Sequence, residues 1–276
     1  MMTLDTTMTE PAIDFTAIKL KQQAAWASGN YAIVGTTLQI VGERLCEALN
    51  LRPGSKVLDV AAGNGNATLA AARRFAEVTS TDYVGHLLDK GRSRAEAEGL
   101  KVDFAIADVE ALPYGDDSFD CVLSTFGVMF SPDHEQAAAE MLRVVRRNGR
   151  IGLANWTPDS FIGHVFKTLG KHVAPPKGVR SPALWGDYKH LAVLFAGNRI
   201  HLTERVFNFR YRSVAHFLDV FRTYYGPVHK AFLSLDETGR EALTRDLTVL
   251  LQSSNKADDG TLLIASAYSE AIIEKA

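Results

Sequence analysis

Apolar residues recur every three or four positions between Tyr31 and Asn50, and this spacing predicts one helix with a buried face. Arg52-Pro53-Gly54 ends that helix. Short apolar runs then alternate with helical segments, among them an alanine-rich helix through Arg74 and a helix over about Gly85 to Glu98. The predicted strands cover Lys56 to Asp59, Glu77 to Thr81, Val102 to Ala107, Phe119 to Thr125 and Arg150 to Asn155. This alternation predicts a parallel sheet with helices on both faces.

Capping and turn residues set the limits of the other elements in this half of the chain. Residues 1–20 are expected to be loosely ordered. Ser131-Pro132 predicts the start of a helix, with the serine as N-cap and the proline in the first turn. Asn148-Gly149 predicts its end. His134 lies in the first turn of this helix, where a solvated side chain is expected.

The regular alternation of predicted strands and helices ends at Trp156. The predicted elements there are a helix over Phe161 to Val173, a half-buried strand over Ile200 to Arg212, a helix that Ser213 caps and Gly226-Pro227 ends, a helix over about Glu237 to Gln252 and a last strand within Thr261 to Ile273. The fold class is therefore predicted to be α/β. We expect a Rossmann-like, seven-stranded, mostly parallel sheet with an antiparallel last strand, helices on both faces and a C-terminal helical cap insertion.

Composition and charge narrow the class of protein. The 276 residues are 46% hydrophobic and carry a formal net charge of −2, as expected for a globular protein without a basic nucleic-acid face. Cys46 and Cys121 lie far apart, which favours a reduced, cytoplasmic protein. Met1 to Pro11 lacks the apolar core of a signal peptide, and no stretch is apolar enough to predict a membrane span.

Candidate binding residues follow the predicted strands. Ligands of open α/β sheets bind beyond the carboxyl ends of the strands. The first strand runs into the small-residue turn Asp59 to Gly65, which lets the backbone approach a ligand closely. Asp82 ends the second strand and Asp108 the third, while Ser124-Thr125-Phe126 ends the fourth. Asp82 is suited to accept ribose hydroxyls and Asp108 an exocyclic adenine amine.

The charge of Asp59 indicates which nucleotide is bound. A glycine turn alone also suits dinucleotides. An aspartate at the edge of this turn would repel a pyrophosphate, whereas it suits a ligand with an ammonium and a sulfonium group. The ligand implied is S-adenosylmethionine.

Four motifs resemble those of class I S-adenosylmethionine-dependent methyltransferases, and in particular the subfamily of ubiquinone/menaquinone-biosynthesis methyltransferases. They are Val57-Leu58-Asp59-Val60-Ala61-Ala62-Gly63-Asn64-Gly65, Thr81-Asp82-Tyr83, Ala107-Asp108-Val109-Glu110-Ala111-Leu112-Pro113 with Asp117-Ser118-Phe119-Asp120, and Arg143-Val144-Val145-Arg146-Arg147-Asn148-Gly149-Arg150. The resemblance covers about residues 26–156 in order. Ala61 stands where the family has its first glycine.

The resemblance implies a set of cofactor-binding residues. They are Trp26, Tyr31, Asp59, Ala61, Gly63, Asn64, Gly65, Asp82, Tyr83, Asp108, Val109, Thr125 and Phe126. Asp59 with the Ala61 and Gly63 backbone would face the methionine half, and Trp26 and Tyr31 would belong to an N-terminal lid. The implied segments are a helical lid (1–50), an S-adenosylmethionine-binding core (51–156) and a third segment (157–276) that completes the sheet and adds the cap helices over the substrate. No metal is expected and no catalytic residue is assigned.

The expected function is methyl transfer to a small, lipophilic or aromatic molecule at an oxygen, nitrogen or carbon atom. The apolar residues of segment 157–235 support this polarity, whereas inward-facing Arg180, Arg210, Arg212 and Arg222 would indicate an anionic substrate. His164, His172, His216 and His229 are alternatives for a general base. The expected partner is a small-molecule substrate, with neither nucleic acid nor membrane; the oligomeric state stays open, a homodimer included. The rival functions are a non-catalytic S-adenosylmethionine-binding regulatory protein and an NAD-dependent oxidoreductase.

Overall fold

The fold is a doubly wound α/β sheet with a helical cap. The computed structural model describes residues 13–276, so the expectation for Met1 to Pro11 lies outside the described residues. Its strands are β1 (Lys56–Val60), β2 (Glu77–Asp82), β3 (Asp103–Ile106), β4 (Phe119–Thr125), β5 (Val145–Trp156), β6 (Arg199–Tyr211) and β7 (Leu262–Glu274). Its helices are α1 (Phe15–Ser28), α2 (Ala32–Gly35), α3 (Gln39–Ala48), α4 (Asn66–Ala72), α5 (Gly85–Ala97), α6 (His134–Val144), α7 (Phe161–His172), α8 (Tyr188–Leu194), α9 (Val214–Tyr224), α10 (Gly226–Ser234) and α11 (Glu237–Ser254).

The seven strands form one sheet in the order β3-β2-β1-β4-β5-β7-β6. β1 to β5 pair in parallel, and β7 is antiparallel to both β5 and β6. The predicted fold class is therefore confirmed. The chain leaves β1 toward β2 on one side and returns through β4 on the other, so the topological switch point lies between β1 and β4.

Side chains of β1 alternate between the two faces of the sheet. Val57 packs with the alanines of α4, whereas Leu58 and Val60 pack in the larger core cluster on the opposite face. The same alternation recurs in β4, where Val122 lies between Cys121 and Leu123. Asp59 therefore shares the face of Val57 and points toward α4.

Several predicted limits of elements are wrong, each for a local reason. A helix already begins at Phe15, because the side chain of Asp14 accepts a hydrogen bond from Ala17 N and caps it. The single helix predicted over residues 31–50 is divided into α2, a 3₁₀ turn at Thr36–Leu38 and α3. Gly226-Pro227 begins α10 as well as ending α9, since proline is favourable in a first helical turn.

The helix predicted from Ser131 begins later. Asp133 is the N-cap of α6, and its carboxylate accepts from Gln136 N at 3.0 Å. Ser131 instead donates to the carboxylate of Glu110 at 2.5 Å. The helix ends at Val144, and residues 145–156 belong to β5, which is thus longer than the predicted strand. Two short elements, the 3₁₀ helix Pro182–Gly186 and α8, have no counterpart in the prediction.

No helix in the described part of the chain, residues 13–276, is both long enough and apolar enough to cross a membrane.

Candidate functional site

A cleft with about 780 Å³ of empty volume, open solvent included, lies at the carboxyl ends of β1, β2, β3 and β4, beside α1. It contains eleven of the thirteen residues that the sequence predicts for the cofactor: Trp26, Tyr31, Ala61, Gly63, Asn64, Asp82, Tyr83, Asp108, Val109, Thr125 and Phe126. The structure does not place Asp59 or Gly65 on its lining. The cleft therefore gathers residues from four separate loops at the switch point of the sheet.

The turn after β1 is held in a conformation that brings its backbone to the cleft. Ala61, Gly63 and Gly65 have positive φ angles of 49°, 57° and 81°. Such angles are costly for most residues but not for glycine. The loop after β4 presses against this turn, because a Cβ atom on Gly127 would lie 2.1 Å from the Ala61 carbonyl oxygen. Gly127 was missed by the sequence analysis, although its place directly after the fourth strand is a usable signal.

Asp82, at the end of β2, holds the turn after β1 by a hydrogen bond. One carboxylate oxygen accepts from Gly63 N at 2.9 Å and the other from Val84 N at 2.8 Å. Burial raises the pKa of Asp82 to about 6, although both backbone hydrogen bonds favour the ionised form. At neutral pH the group is an anion at the edge of the cleft, with lone pairs left to accept further hydrogen bonds.

Asp59 is fully buried and does not reach the cleft. The alternation along β1 turns it toward α4, where one carboxylate oxygen accepts from Thr68 Oγ1 at 2.6 Å. The other oxygen has no hydrogen-bond partner among the described residues. Burial raises the pKa of Asp59 to about 7 in spite of the Thr68 hydrogen bond, and the charge of Asp82 adds to the shift. Asp59 therefore lies behind the turn and not on the lining of the cleft, contrary to the expectation that it faces the methionine half.

Asp108 is held by the N-terminal helix. Its carboxylate accepts from Glu110 N at 2.9 Å and from Lys19 Nζ at 2.6 Å. Lys19 lies 3.0 Å from the Glu110 carboxylate as well. α1 is also anchored by Gln23, whose side-chain amide donates to the Tyr83 carbonyl oxygen at 2.6 Å. The predicted lid is thus fixed to the strand ends that form the cleft.

Glu110 and Gln22 complete this end of the cleft, and sequence reasoning assigned neither of them a role. Glu110 is buried, and its carboxylate also accepts from Asp133 N at 2.9 Å. The Gln22 side chain lines the cleft, and its carbonyl oxygen is buried with no partner among residues 13–276. Buried polar atoms are normally hydrogen-bonded, so this oxygen is a free acceptor for a ligand.

Four aromatic rings from three parts of the chain meet beside the cleft. Trp26 packs edge to face on Tyr31, Phe130 and Tyr225, with ring centroids 5.5, 4.8 and 5.7 Å away. Tyr31 and Tyr225 lie 6.4 Å apart. We call these four rings the aromatic cage. Phe126 lies next to it and stacks on Trp156 with 4.0 Å between centroids.

A second, narrow space lies behind the cage, with about 300 Å³ of empty volume when open solvent is included. Its lining is entirely apolar or aromatic: Trp26, Tyr31, Val34, Leu38, Phe126, Phe130, Trp156, Ile162, Phe209, Phe221 and Tyr225. Trp26, Tyr31, Phe126 and Phe130 line both this cavity and the cleft, so the two spaces adjoin. We call it the apolar cavity. A mostly apolar space beside a few polar groups is typical of a small-molecule site.

The charged side chains that would indicate an anionic substrate lie elsewhere. Neither the cleft nor the apolar cavity is lined by Arg180, Arg210, Arg212 or Arg222. Arg180 pairs with Glu135, and Arg222 lies over the ring of Phe232. In the part of the chain that the structure describes, no cluster of His, Cys, Asp and Glu could hold a metal ion.

The four candidate histidines do not line either space. His172 pairs with Asp246 at 2.8 Å, and the ring of His229 bonds the Arg222 carbonyl oxygen. The expectation that His134 is solvated is wrong, because it is fully buried with its Nδ1 2.8 Å from Nε2 of His190. Burial, with the neighbouring His190 and Arg180 adding to it, lowers the pKa of His134 to about 3.

Residues 58–153 match a family described as a methyltransferase domain. An uncharacterised protein of Mycobacterium tuberculosis is 35% identical over 268 residues, which are 95% of this chain and 96% of that protein. The demethylmenaquinone methyltransferase of Deinococcus radiodurans is 36% identical over 149 residues, 52% of this chain and 61% of that enzyme. The crystal structure of YcgJ from Bacillus subtilis has the same fold, with a TM-score of 0.57 at 18% identity over 87% of this chain and 98% of that one.

Proposed function

Since the chain belongs to the class I S-adenosylmethionine-dependent methyltransferases and resembles their quinone-biosynthesis subfamily, we propose that it methylates a small, uncharged, lipophilic or aromatic molecule. The enzyme class and the cofactor follow from the family. The polarity and the position of the acceptor are inferred from the cavities.

The cleft suits S-adenosylmethionine. Gly63 presents backbone with no side chain, and a Cβ atom there would come within 3.4 Å of the Tyr31 ring. We propose that Asp82 holds the ribose hydroxyls, that Asp108 and Val109 N hold the adenine edge and that Tyr83 lies near the adenine ring. The unpartnered oxygen of Gln22 is available to a donor on the cofactor. Ala61, Asn64, Thr125 and Phe126 are proposed to enclose the methionine half.

The observation that carries the proposed acceptor class is the apolar cavity. It adjoins the cleft at four shared residues, and no charged side chain lines it. A charged or phosphorylated acceptor would lose its hydration there without a partner, which is costly. A neutral lipophilic or aromatic acceptor gains roughly 25 cal/mol for each Å² of apolar surface that it removes from water.

The residues of the chain supply alignment and exclusion of water. The bound cofactor supplies a methyl group that is already activated by its sulfonium. The cage and Phe126 form the walls between the two spaces, so they set the direction from which an acceptor approaches. Alignment of this kind contributes several kcal/mol to catalysis, up to about 7–11 in the best intramolecular cases. Asp82 and Lys19 hold the loop and the lid that shape the cleft.

We propose the same three segments as the functional division of the chain. Residues 1–50 supply the lid, 51–156 bind the cofactor, and 157–276 complete the sheet and enclose the acceptor. The support is that Trp26, Tyr31, Val34 and Leu38 line the apolar cavity from the first segment. Ile162, Phe209, Phe221 and Tyr225 line it from the third.

Calorimetry with S-adenosylmethionine, S-adenosylhomocysteine and NAD tests the cofactor site. We expect both sulfur ligands to bind and NAD to give no heat. Tight binding of NAD alone would support an oxidoreductase and refute the proposal. Binding of the sulfur ligands without turnover of any acceptor would support a regulatory protein instead.

A panel of acceptors tests the substrate class, with formation of S-adenosylhomocysteine as the readout. Neutral aromatic and lipophilic molecules are expected to be methylated, and their phosphorylated or carboxylated counterparts are not. Val34→Phe fills the apolar cavity and should raise KM for the acceptor tenfold or more, with cofactor affinity unchanged. Ile33→Phe is the matched control, because Ile33 is 47% exposed and does not line either space. Turnover of only the anionic compounds would refute the acceptor class.

A further inference from the structure

The Gln22 side chain carries an inference about how the adenine of the cofactor is recognised, and it rests on the proposed function. We propose that the Gln22 amide binds the adenine edge that Asp108 and Val109 leave free, which presents N7 and the second proton of the exocyclic amine. Gln22 is then a specificity-determining residue of the lid, and its ligand is the adenine base.

The first argument is the place of Gln22 on α1. Lys19 and Gln22 both line the cleft, and their spacing of three residues puts them on one side of the helix. The ammonium group of Lys19 lies 2.6 Å from the Asp108 carboxylate. Gln23, the residue after Gln22, donates to the Tyr83 carbonyl oxygen at 2.6 Å. The helix is thus fixed, on both sides of Gln22, to the two strand ends proposed to contact the base.

The second argument is that the amide of Gln22 is free to bind a ligand. Its carbonyl oxygen is buried and has no hydrogen-bond partner among residues 13–276. None of these residues bonds its amide nitrogen either. The neighbouring Gln23 uses the same chemical group to anchor the helix, so α1 holds one glutamine in place and leaves the other open to the cleft. Buried polar atoms are normally paired, and a ligand would supply the partner here.

The third argument is the match between an amide and adenine. The exocyclic amine has two protons, one on the side of N1 and one on the side of N7. The proposed contacts with Asp108 and Val109 N use the first proton and N1, so the second proton and N7 stay free. An amide of Gln or Asn pairs with these two groups at once, because its oxygen accepts from the amine and its nitrogen donates to N7.

Other polar side chains on the lining are less suited to this edge. The Asp108 carboxylate has no proton to donate to N7, and the Lys19 ammonium has no lone pair to accept from the amine. Only a planar amide presents a donor and an acceptor side by side. Asn64 and Asn66, the other amide side chains on the lining, donate instead to residues 35–36 at the end of α2.

Binding of S-adenosylhomocysteine and of its 7-deaza analogue tests the inference. The analogue has a C–H group in place of N7 and keeps the amine, the ribose and the amino-acid part. We expect the parent protein to bind it roughly tenfold more weakly in calorimetry, because the Gln22 nitrogen then faces a carbon and loses its acceptor. In Gln22→Met, which keeps the length of the side chain but has no amide, the two ligands should bind within about twofold of each other. Equal binding of both ligands to the parent, or a preference that persists in Gln22→Met, would overturn the inference.

Lys21→Met is the control on the same helix, because Lys21 is exposed and does not line the cleft. This variant should prefer S-adenosylhomocysteine over the analogue as strongly as the parent does. Loss of the preference in Lys21→Met as well would show that it depends on the seating of α1 and would overturn the role of Gln22. Failure of S-adenosylhomocysteine itself to bind the parent would refute the proposed function, which separates the two outcomes.

Discussion

Replacement of Asp59 by asparagine should stabilise the ligand-free protein at alkaline pH. The side chain is fully buried beneath α4, and one of its oxygens has no partner among residues 13–276. Burial raises its pKa to about 7 from 3.8. The folded protein therefore binds more protons than the unfolded chain between these two values, and its stability falls as pH rises through them. Asparagine resembles the protonated carboxyl and cannot ionise.

The size of the effect follows from the shift. Each pKa unit corresponds to about 1.4 kcal/mol, so a shift of about three units makes the ionised Asp59 cost the folded protein roughly 4 kcal/mol above pH 7. Roughly 1–2 kcal/mol of this is already present near pH 5. The advantage of Asp59→Asn over the parent should thus grow by roughly 2–3 kcal/mol between about pH 5 and about pH 8.

Urea unfolding of both proteins at these two pH values measures the difference. Asp82, whose raised pKa acts in the same direction, is present in both proteins, so only its electrostatic coupling to Asp59 enters the measured difference. Asp120→Asn is the control of opposite sign. Burial opposes ionisation of Asp120, but hydrogen bonds from Arg146 and from Lys56 N hold its pKa below the usual value. The stabilisation that ionised Asp120 gives the folded protein is therefore lost as pH falls. Above pH 5, the Asp120→Asn variant should be less stable than the parent protein. A difference in the free energy of unfolding between Asp59→Asn and the parent that does not change with pH would refute the reasoning.

Three further predictions concern the cleft and its lid. Asp82→Ala should weaken S-adenosylmethionine binding ~100-fold or more in calorimetry, because the two charge-assisted hydrogen bonds that we propose from the ribose hydroxyls, of roughly 1.5–3 kcal/mol each, are lost; an unchanged Kd in a folded variant would remove Asp82 from the site. Gly127→Ala should cost about 1–3 kcal/mol or more in urea unfolding, since its Cβ would meet backbone at 2.1 Å. The control Gly170→Ala, with open space around its Cβ inside α7, should gain roughly 0.5–1 kcal/mol. Equal stability of the two variants would contradict the packing of the loops. Lys19→Met should increase hydrogen exchange across α1 severalfold, because two ion pairs are lost; unchanged protection would show that they do not hold the lid.

The strands could be predicted from the sequence because each of their signals is local. A buried strand followed by Gly63 or ending at Asp82 is recognisable without knowledge of its neighbours. The order of the strands, with β7 between β5 and β6, is not local information and was not predicted. The four loops of the cleft could be predicted, since parallel strands bring their carboxyl ends to one edge.

Other features depend on contacts between distant residues. Ser131 has the sequence signature of an N-cap, but its hydroxyl donates to the Glu110 carboxylate, and Asp133 is the N-cap instead. His134 looks solvated in a first helical turn, yet α8 brings His190 against it. The direction of the Asp59 side chain could have been predicted from the alternation along β1, because Asp59 and Val57 are two residues apart and lie on the same face. That one of its carboxylate oxygens has no hydrogen-bond partner among the described residues could not have been predicted.

The apolar cavity and the cleft are lined mainly by residues from different parts of the chain. Nine of the eleven residues on the lining of the apolar cavity fall outside the segment 58–153 that matches the methyltransferase domain, compared with four of the 22 on the lining of the cleft. Substitutions at the seven cavity residues that the cleft does not share can therefore change the cavity while the lining of the cleft stays intact. Under the proposed function, changes in these two flanks would change the acceptor that the enzyme takes. Directed evolution of new acceptors should confine its libraries to the seven residues that line the apolar cavity alone: Val34, Leu38, Trp156, Ile162, Phe209, Phe221 and Tyr225.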